Sequence, residues 1–212
     1  MELWPEKQPK SYIGRAIFIH GAGAPSDSQW MNEVSDVLQH CGWWVWRAEF
    51  AYMAQRRHGL PKRPPPKTAQ LVSELDQAVQ PLNSELTLLV GKSMGGRIAS
   101  HWLAEAAVPR SVVGALVLGY PFHPLGRPDR PRTEHLSQLQ KPVEIIQGTH
   151  DPMGSFDWVT ANPLPQNLTV FWQTGGGHDL NVARRWTAED SVPKETLIHQ
   201  RAVAWAQRVP VL

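Results

Sequence analysis

The sequence predicts an α/β fold: a doubly wound, mostly parallel sheet of about six or seven strands with helices on both faces. Two observations carry this expectation. Six short runs of β-branched and apolar residues recur along the 212-residue chain, and their nearly continuous apolar character marks strands buried on both faces. Segments with helical periodicity fill the intervals between them, and strand–helix alternation builds a parallel sheet covered on both sides.

The first run, RAIFIH (15–20), ends at the small-residue stretch GAGA. Residues 27–40 follow as a helix, with Ser26, Asp27 and Ser28 available for capping and Trp30, Val34, Val37 and Leu38 along one face. WWVWRAEF (43–50) is the second strand. The basic, proline-rich RRHGLPKRPPPK (56–67) fits neither a helix nor an inner strand, because proline lacks the N–H and fixes φ. Residues 68–80 set Leu71, Val72, Leu75 and Val79 on one helical face. LTLLVG (86–91) is the third strand, and the helix of residues 95–107 turns Ile98, Ala99, Trp102, Leu103 and Ala106 toward the sheet. VVGALVLGY (112–120) is the fourth strand, followed by a second irregular excursion, PFHPLGRPDRPRTEH (121–135). PVEIIQG (142–148) and LTVFWQT (168–174) complete the set. A last helix over residues 193–208 takes Ser191 as its N-cap and buries Ile198, Ala202 and Trp205.

Composition narrows the class. With 42% hydrophobic and 19% charged residues the chain is globular, and its length suits a single domain over residues 1–212. A net charge of +2 is too small to argue for nucleic acid. One cysteine, Cys41, rules out an internal disulfide framework and suits a reducing, cytoplasmic setting. The N-terminal MELWPEKQPK lacks the apolar run of a signal peptide, and no stretch approaches the ~18 apolar residues of a membrane span. No histidine or carboxylate spacing suggests a metal site, so no metal or cofactor is expected. Ten tryptophans, three of them in WWVW (43–46), read as packing residues.

Function turns on Gly91-Lys92-Ser93. A phosphate loop, G-x-x-x-x-G-K-[ST], would need its first glycine at the position Leu86 occupies, and residues 87–90 read as strand. The alternative is G-x-S-x-G, Gly91 to Gly95, set between a strand and a helix. That turn presents a serine in a strained, positive-φ conformation, and only small residues fit two positions to either side. A serine nucleophile needs a base and an acid, which should follow in the order acid, then histidine. Asp151 lies in QGTHDPMG after the fifth strand and His178 in TGGGHDL after the sixth. Both stand past C-terminal strand ends, where a parallel sheet opens its binding crevice. The first strand ends in HGAGA, and the backbone N–H groups of Ala22 and Met94 are the expected oxyanion donors.

The order HG-x-G, G-x-S-x-G-G, G-x-x-D, G-G-H resembles the α/β-hydrolase superfamily across nearly the whole chain. GKSMGGRIA, LVLGYPFHPLGRPDRPRTEHL and VEIIQGTHDPMG are more closely similar to the KANL3/Tex30-like branch, lidless dienelactone-hydrolase-like proteins. Tyr120 to Pro124 is the most branch-specific segment; Lys92 and His150 depart from it, standing where arginine is more usual. The resemblance implies an α/β-hydrolase fold with no lid domain and a triad of Ser93, Asp151 and His178. It implies little about substrate, since the branch includes a scaffold subunit of a chromatin complex.

The expected reaction is hydrolysis of a small carboxylic ester or related acyl bond through an acyl-enzyme. Alternatives are a scaffold that keeps the fold and an acyltransferase using the same residues. Without a lid, loops 24–30, 56–67 and 121–132 should wall the pocket, with Trp30, Tyr120, Phe122, Met94 and His123 among its contacts; His123 is also the rival base. His20 is expected to be structural, holding the turn through backbone bonds. The oligomeric state is left open.

Overall fold

The computed structural model describes residues 1–105, 107–184 and 191–208. Seven strands form one sheet: β1 (Glu2–Pro5), β2 (Gly14–Ile19), β3 (Trp43–Glu49), β4 (Thr87–Lys92), β5 (Val112–Leu118), β6 (Val143–Gly148) and β7 (Leu168–Gln173). Their spatial order is β1-β3-β2-β4-β5-β6-β7, and all neighbours are parallel except β1 against β3. The helices are α1 (Gln29–His40), α2 (Ala51–Arg57), α3 (Thr68–Val79), α4 (Met94–Glu105), α5 (Phe156–Ala161) and α6 (Lys194–Gln207). A 3-10 turn covers Glu134–Gln138. Among the described residues no lid is inserted between the strands, and no helix is long and apolar enough to cross a membrane.

The expected α/β fold is the observed one, with local departures. β1 is an antiparallel edge strand that pairs Trp4 with Arg47 and Pro5 with Trp46. A proline is tolerated there because an edge strand has a side that need not donate to a neighbour. The basic run begins inside α2 and becomes irregular only after Arg57. Ser191 does not cap α6; Pro193 holds the N-cap position and the Ser191 hydroxyl donates to the Thr174 carbonyl. Ser28 is the N-cap of α1, without a side-chain capping bond. Ala106 lies outside the described residues.

Alternation along the strands divides the core between the two faces of the sheet. Ile17 and Ile19 of β2, Leu89 of β4 and Val117 of β5 pack under α3 and α4 with Leu71, Leu75, Ile98 and Trp102. Their neighbours Phe18, Val90 and Leu116 pack under α1 and α6 with Val34, Leu38, Ile198 and Trp205. β2, β4 and β6 are buried along their whole length, as central strands of a two-sided sheet must be. Two tryptophans of this packing have their polar edge satisfied: Trp43 donates to the Ala202 carbonyl and Trp102 to the Asp76 carboxylate. Trp102 is fully buried at the α3–α4 contact. Trp102→Ala is therefore expected to cost about 3–5 kcal/mol, read as a lower urea midpoint at unchanged slope.

The strand order reverses between β2 and β4: the chain runs from β2 outward to β3, then returns to the other side of β2. Such a switch point leaves a crevice at the C-terminal strand ends. The loop after β2 and the turn after β4 both open into it.

Candidate active site

Ser93 sits between the last residue of β4 and the first of α4, at φ 50°. Side chains strain at positive φ, so the turn survives only because its surroundings fix it. The Ser93 N–H donates to the Leu118 carbonyl at 3.0 Å, and its own carbonyl accepts from the Arg97 N–H. The flanking glycines are required sterically. A Cβ on Gly95 would stand 2.5 Å from the Ile19 carbonyl oxygen, and one on Gly91 would stand 2.3 Å from the Gly96 nitrogen. Without those side chains, the N-terminus of α4 packs directly on the end of β2.

The loops after β6 and β7 are stapled together and bring Asp151 to His178. The Thr149 N–H donates to the Gln173 carbonyl, the His150 N–H to the Gly176 carbonyl, and the Gly175 N–H to the Thr149 hydroxyl. His178 Nδ1 lies 2.8 Å from Asp151 Oδ2, and His178 Nε2 lies 2.8 Å from Ser93 Oγ. Asp151 is fully buried, and its other neighbours are donors: the Met153 N–H on Oδ1 and the Gln147 side-chain amide on Oδ2. An acceptor surrounded by donors draws the imidazole proton to Nδ1, which leaves Nε2 as a lone-pair acceptor for the Ser93 hydroxyl.

Gln147 was not singled out by sequence reading. It is fully buried, and its amide oxygen accepts from the Tyr120 N–H while its nitrogen reaches the Tyr120 and Gly154 carbonyls as well as Asp151. Nothing local distinguishes it from any other strand residue; only its polarity inside the apolar run VEIIQG hints at a buried partner.

The loop after β2 is held from beneath. His20 is fully buried; its Nε2 accepts from the Phe50 N–H and its Nδ1 donates to the Gly21 carbonyl. Burial pushes its imidazole below the usual histidine value, so it stays neutral in this structural position. Fully buried Glu49 accepts from the Ser26 N–H and hydroxyl and pairs with Arg57. Burial opposes its ionisation, but Arg57 and Ser26 outweigh that and hold its carboxyl below the usual range. The Tyr52 hydroxyl donates to the Ala22 carbonyl; burial pushes that phenol up to about 12, which keeps the donor proton in place. Among the described residues no group engages the N–H of Ala22, and Met94 supplies the first N–H of α4.

A cavity of about 700 Å³ opens beside Ser93 and His178, lined by residues 21–24, Ser28 to Met31, Glu33, Lys92, Asp179 and Asn181; Glu33 is paired with Lys194. Trp30 is in this wall, and its indole N–H donates to the Asp179 carbonyl. Lys92 lies against the Trp30 ring, 2.9 Å from the Asp179 carboxylate. Burial pushes the Lys92 ammonium below the usual lysine value, with Asp179 working against it.

Tyr120 and Phe122 do not line this cavity, contrary to expectation. Both are fully buried: Tyr120 donates its hydroxyl to the Arg132 carbonyl, and Phe122 packs against Gly154 and Trp158. The chain turns at Gly119 (φ 70°) directly after β5 and drives both rings into the core. The Met94 side chain is likewise buried, with its sulfur against the Tyr52 hydroxyl. His123 lines a second cavity with His150 and Trp158, behind Asp151, and makes no contact with Ser93. Loops 56–67 and 121–132 supply no wall to the cavity at Ser93. Among the described residues, no group of three or more His, Cys, Asp or Glu side chains is placed to hold a metal ion.

Comparison with solved structures returns the same architecture. The chain is similar to a monoacylglycerol lipase of Paleococcus ferrophilus (16% identity, TM-score 0.65, covering 97% of this chain and 98% of that one). It is also similar to Est1E from Butyrivibrio proteoclasticus (13%, TM-score 0.68, 97% and 91%). A third is the esterase domain of a Rhodothermus marinus protein (14%, TM-score 0.62, 97% and 91%). At such identities the likeness speaks for the fold. No functionally curated protein matches the chain. The family model for the alpha/beta hydrolase domain matches residues 13–207, nearly the whole chain, and the protein therefore belongs to that family.

Proposed function

We propose that the protein is a serine hydrolase that cleaves a carboxylic ester or a related acyl bond through an acyl-enzyme on Ser93. The observation that carries this reading is the unbroken hydrogen-bond chain from Ser93 through His178 to buried Asp151. His178 Nε2 takes the Ser93 proton as Oγ attacks the acyl carbon, and the charge on the resulting imidazolium is balanced by Asp151. The carbonyl oxygen becomes an oxyanion, and the N–H groups of Ala22 and Met94 are its proposed donors. A preorganised donor of this kind contributes about 3 kcal/mol. Collapse expels the alcohol, which takes the proton from His178. Water then enters, gives a proton to His178 and attacks the acyl carbon; the proton returns to Ser93 as the acid leaves.

The cavity at Ser93 points to neutral substrates. Its one buried cation, Lys92, is already neutralised by Asp179, and Trp30 and Met31 give it an apolar side. With no lid among the described residues to enclose a long chain, short acyl groups are favoured. A p-nitrophenyl ester series is the test: acetate and butyrate should exceed palmitate by at least about 10-fold in kcat/KM, because a site without a lid gives the methylenes of a long chain no wall to pack against. Much faster turnover of the long-chain ester contradicts the substrate class. The three stretches similar to the KANL3/Tex30-like branch support placing the chain in that branch, within the family.

A further inference from the structure

We propose that Lys92 is a positioning residue that fixes the loop carrying His178, and through it the reach of the imidazole to Ser93. This rests on the reading of Ser93, His178 and Asp151 as hydrolytic machinery. Lys92 is the last residue of β4 and is 8% exposed. A buried ammonium is costly unless its donors are satisfied, so its partners reveal its task. They are the main-chain carbonyl of His178 at 2.6 Å and the carboxylate of Asp179 at 2.9 Å, two consecutive residues of the loop after β7. The third neighbour is the Trp30 ring, 5.1 Å away, and the Trp30 indole fastens the Asp179 carbonyl from the other side.

Space for this strap is left open by Gly119. A Cβ there would stand 2.4 Å from the His178 carbonyl oxygen and 3.2 Å from Lys92 Nζ. The strap adds to the bonds that hold a strained loop: Leu180, two residues past His178, sits at φ 63°, and its N–H donates to the Gly177 carbonyl. Strained backbone persists only where neighbours over-determine it. The nucleophile's own strand thus holds both ends of the Ser93–His178 bond: Ser93 by the turn, His178 by the preceding side chain. The charges that face Lys92 are Asp179 and, farther off, Asp151. Asp179 cancels the ammonium, so the strap does not oppose formation of the His178 imidazolium.

The test compares Lys92→Met, Lys92→Arg and Asp179→Asn with wild type, by p-nitrophenyl acetate kinetics and by the NMR signal of the His178 Nδ1–H. Lys92→Met is expected to lose about 10–100-fold in kcat at nearly unchanged KM, as a displaced base should. Lys92→Arg, which keeps a cationic donor, should recover most of that loss. In an Asp151→Asn background, where the imidazole is already misoriented, Lys92→Met should cost less than about 3-fold, since coupled residues are not additive. The downfield Nδ1–H signal should weaken in Lys92→Met and persist in Lys92→Arg. Asp179→Asn removes one of the two acceptors of the Lys92 ammonium and leaves the His178 carbonyl, so it should weaken the signal less than Lys92→Met does. An unchanged Nδ1–H signal and full kcat in folded Lys92→Met overturn the proposal. If Lys92→Met does not fold, an unchanged Nδ1–H signal and full kcat in both folded Lys92→Gln and folded Asp179→Asn overturn it instead. The NMR readout needs no turnover, so wild type inactive on every ester defeats the hydrolase reading while Lys92 is still judged by the His178 signal.

Discussion

Ser93→Ala is expected to lose about 10⁶-fold in kcat on any ester the wild type hydrolyses, because the acyl acceptor itself is removed. The turn should survive. Its hydrogen bonds run through the Ser93 backbone, to the Leu118 carbonyl and from the Arg97 N–H, and alanine keeps both. KM should stay close to wild type, since the cavity wall formed by residues 21–24 and Trp30 is untouched. The double variant Ser93→Ala/His178→Ala should be no worse than either single one. Residues that act as a unit in one proton transfer lose their function together.

Asp151→Asn is expected to reduce kcat by about 10⁴-fold with the fold retained. The Met153 N–H requires an oxygen at the Oδ1 position, which directs the new amide nitrogen toward Gln147 and His178. An NH₂ group there donates to His178 Nδ1, which moves the imidazole proton to Nε2. The ring then donates to Ser93 Oγ and has no lone pair with which to take its proton. The new nitrogen also faces the Gln147 amide donor, a buried clash worth about 1–3 kcal/mol of stability. Thermal unfolding should therefore register the substitution, but far less than the rate does.

How much of this was legible in the sequence depends on the range of the interactions involved. β2 to β7 are readable because their apolar runs are local, and α1, α3, α4 and α6 because burial on one side imposes a helical period. β1 is not: four residues with a glutamate and a proline carry no apolar signal, and its pairing with β3 is decided by what the sheet edge leaves open. α2 was hidden because it follows β3 almost at once and ends in the arginines of the basic run. Ser93, Asp151 and His178 were marked by small residues and strand ends, which are again local features. Pocket residues are not legible where side-chain direction decides. Tyr120 and Phe122 follow a strand end as pocket residues would, yet the turn at Gly119 buries them, and no neighbouring residue announces that. Lys92 reads in sequence only as a local departure, because its partners, His178 and Asp179, lie far along the chain.

The central claim is that Ser93 is an activated nucleophile, and a fluorophosphonate probe read by intact mass tests it most directly. Wild type should gain one adduct, while folded Ser93→Ala and His178→Ala should gain none on the same timescale. A folded wild type that stays unlabelled, or a Ser93→Ala variant that labels as readily as wild type, would contradict the account.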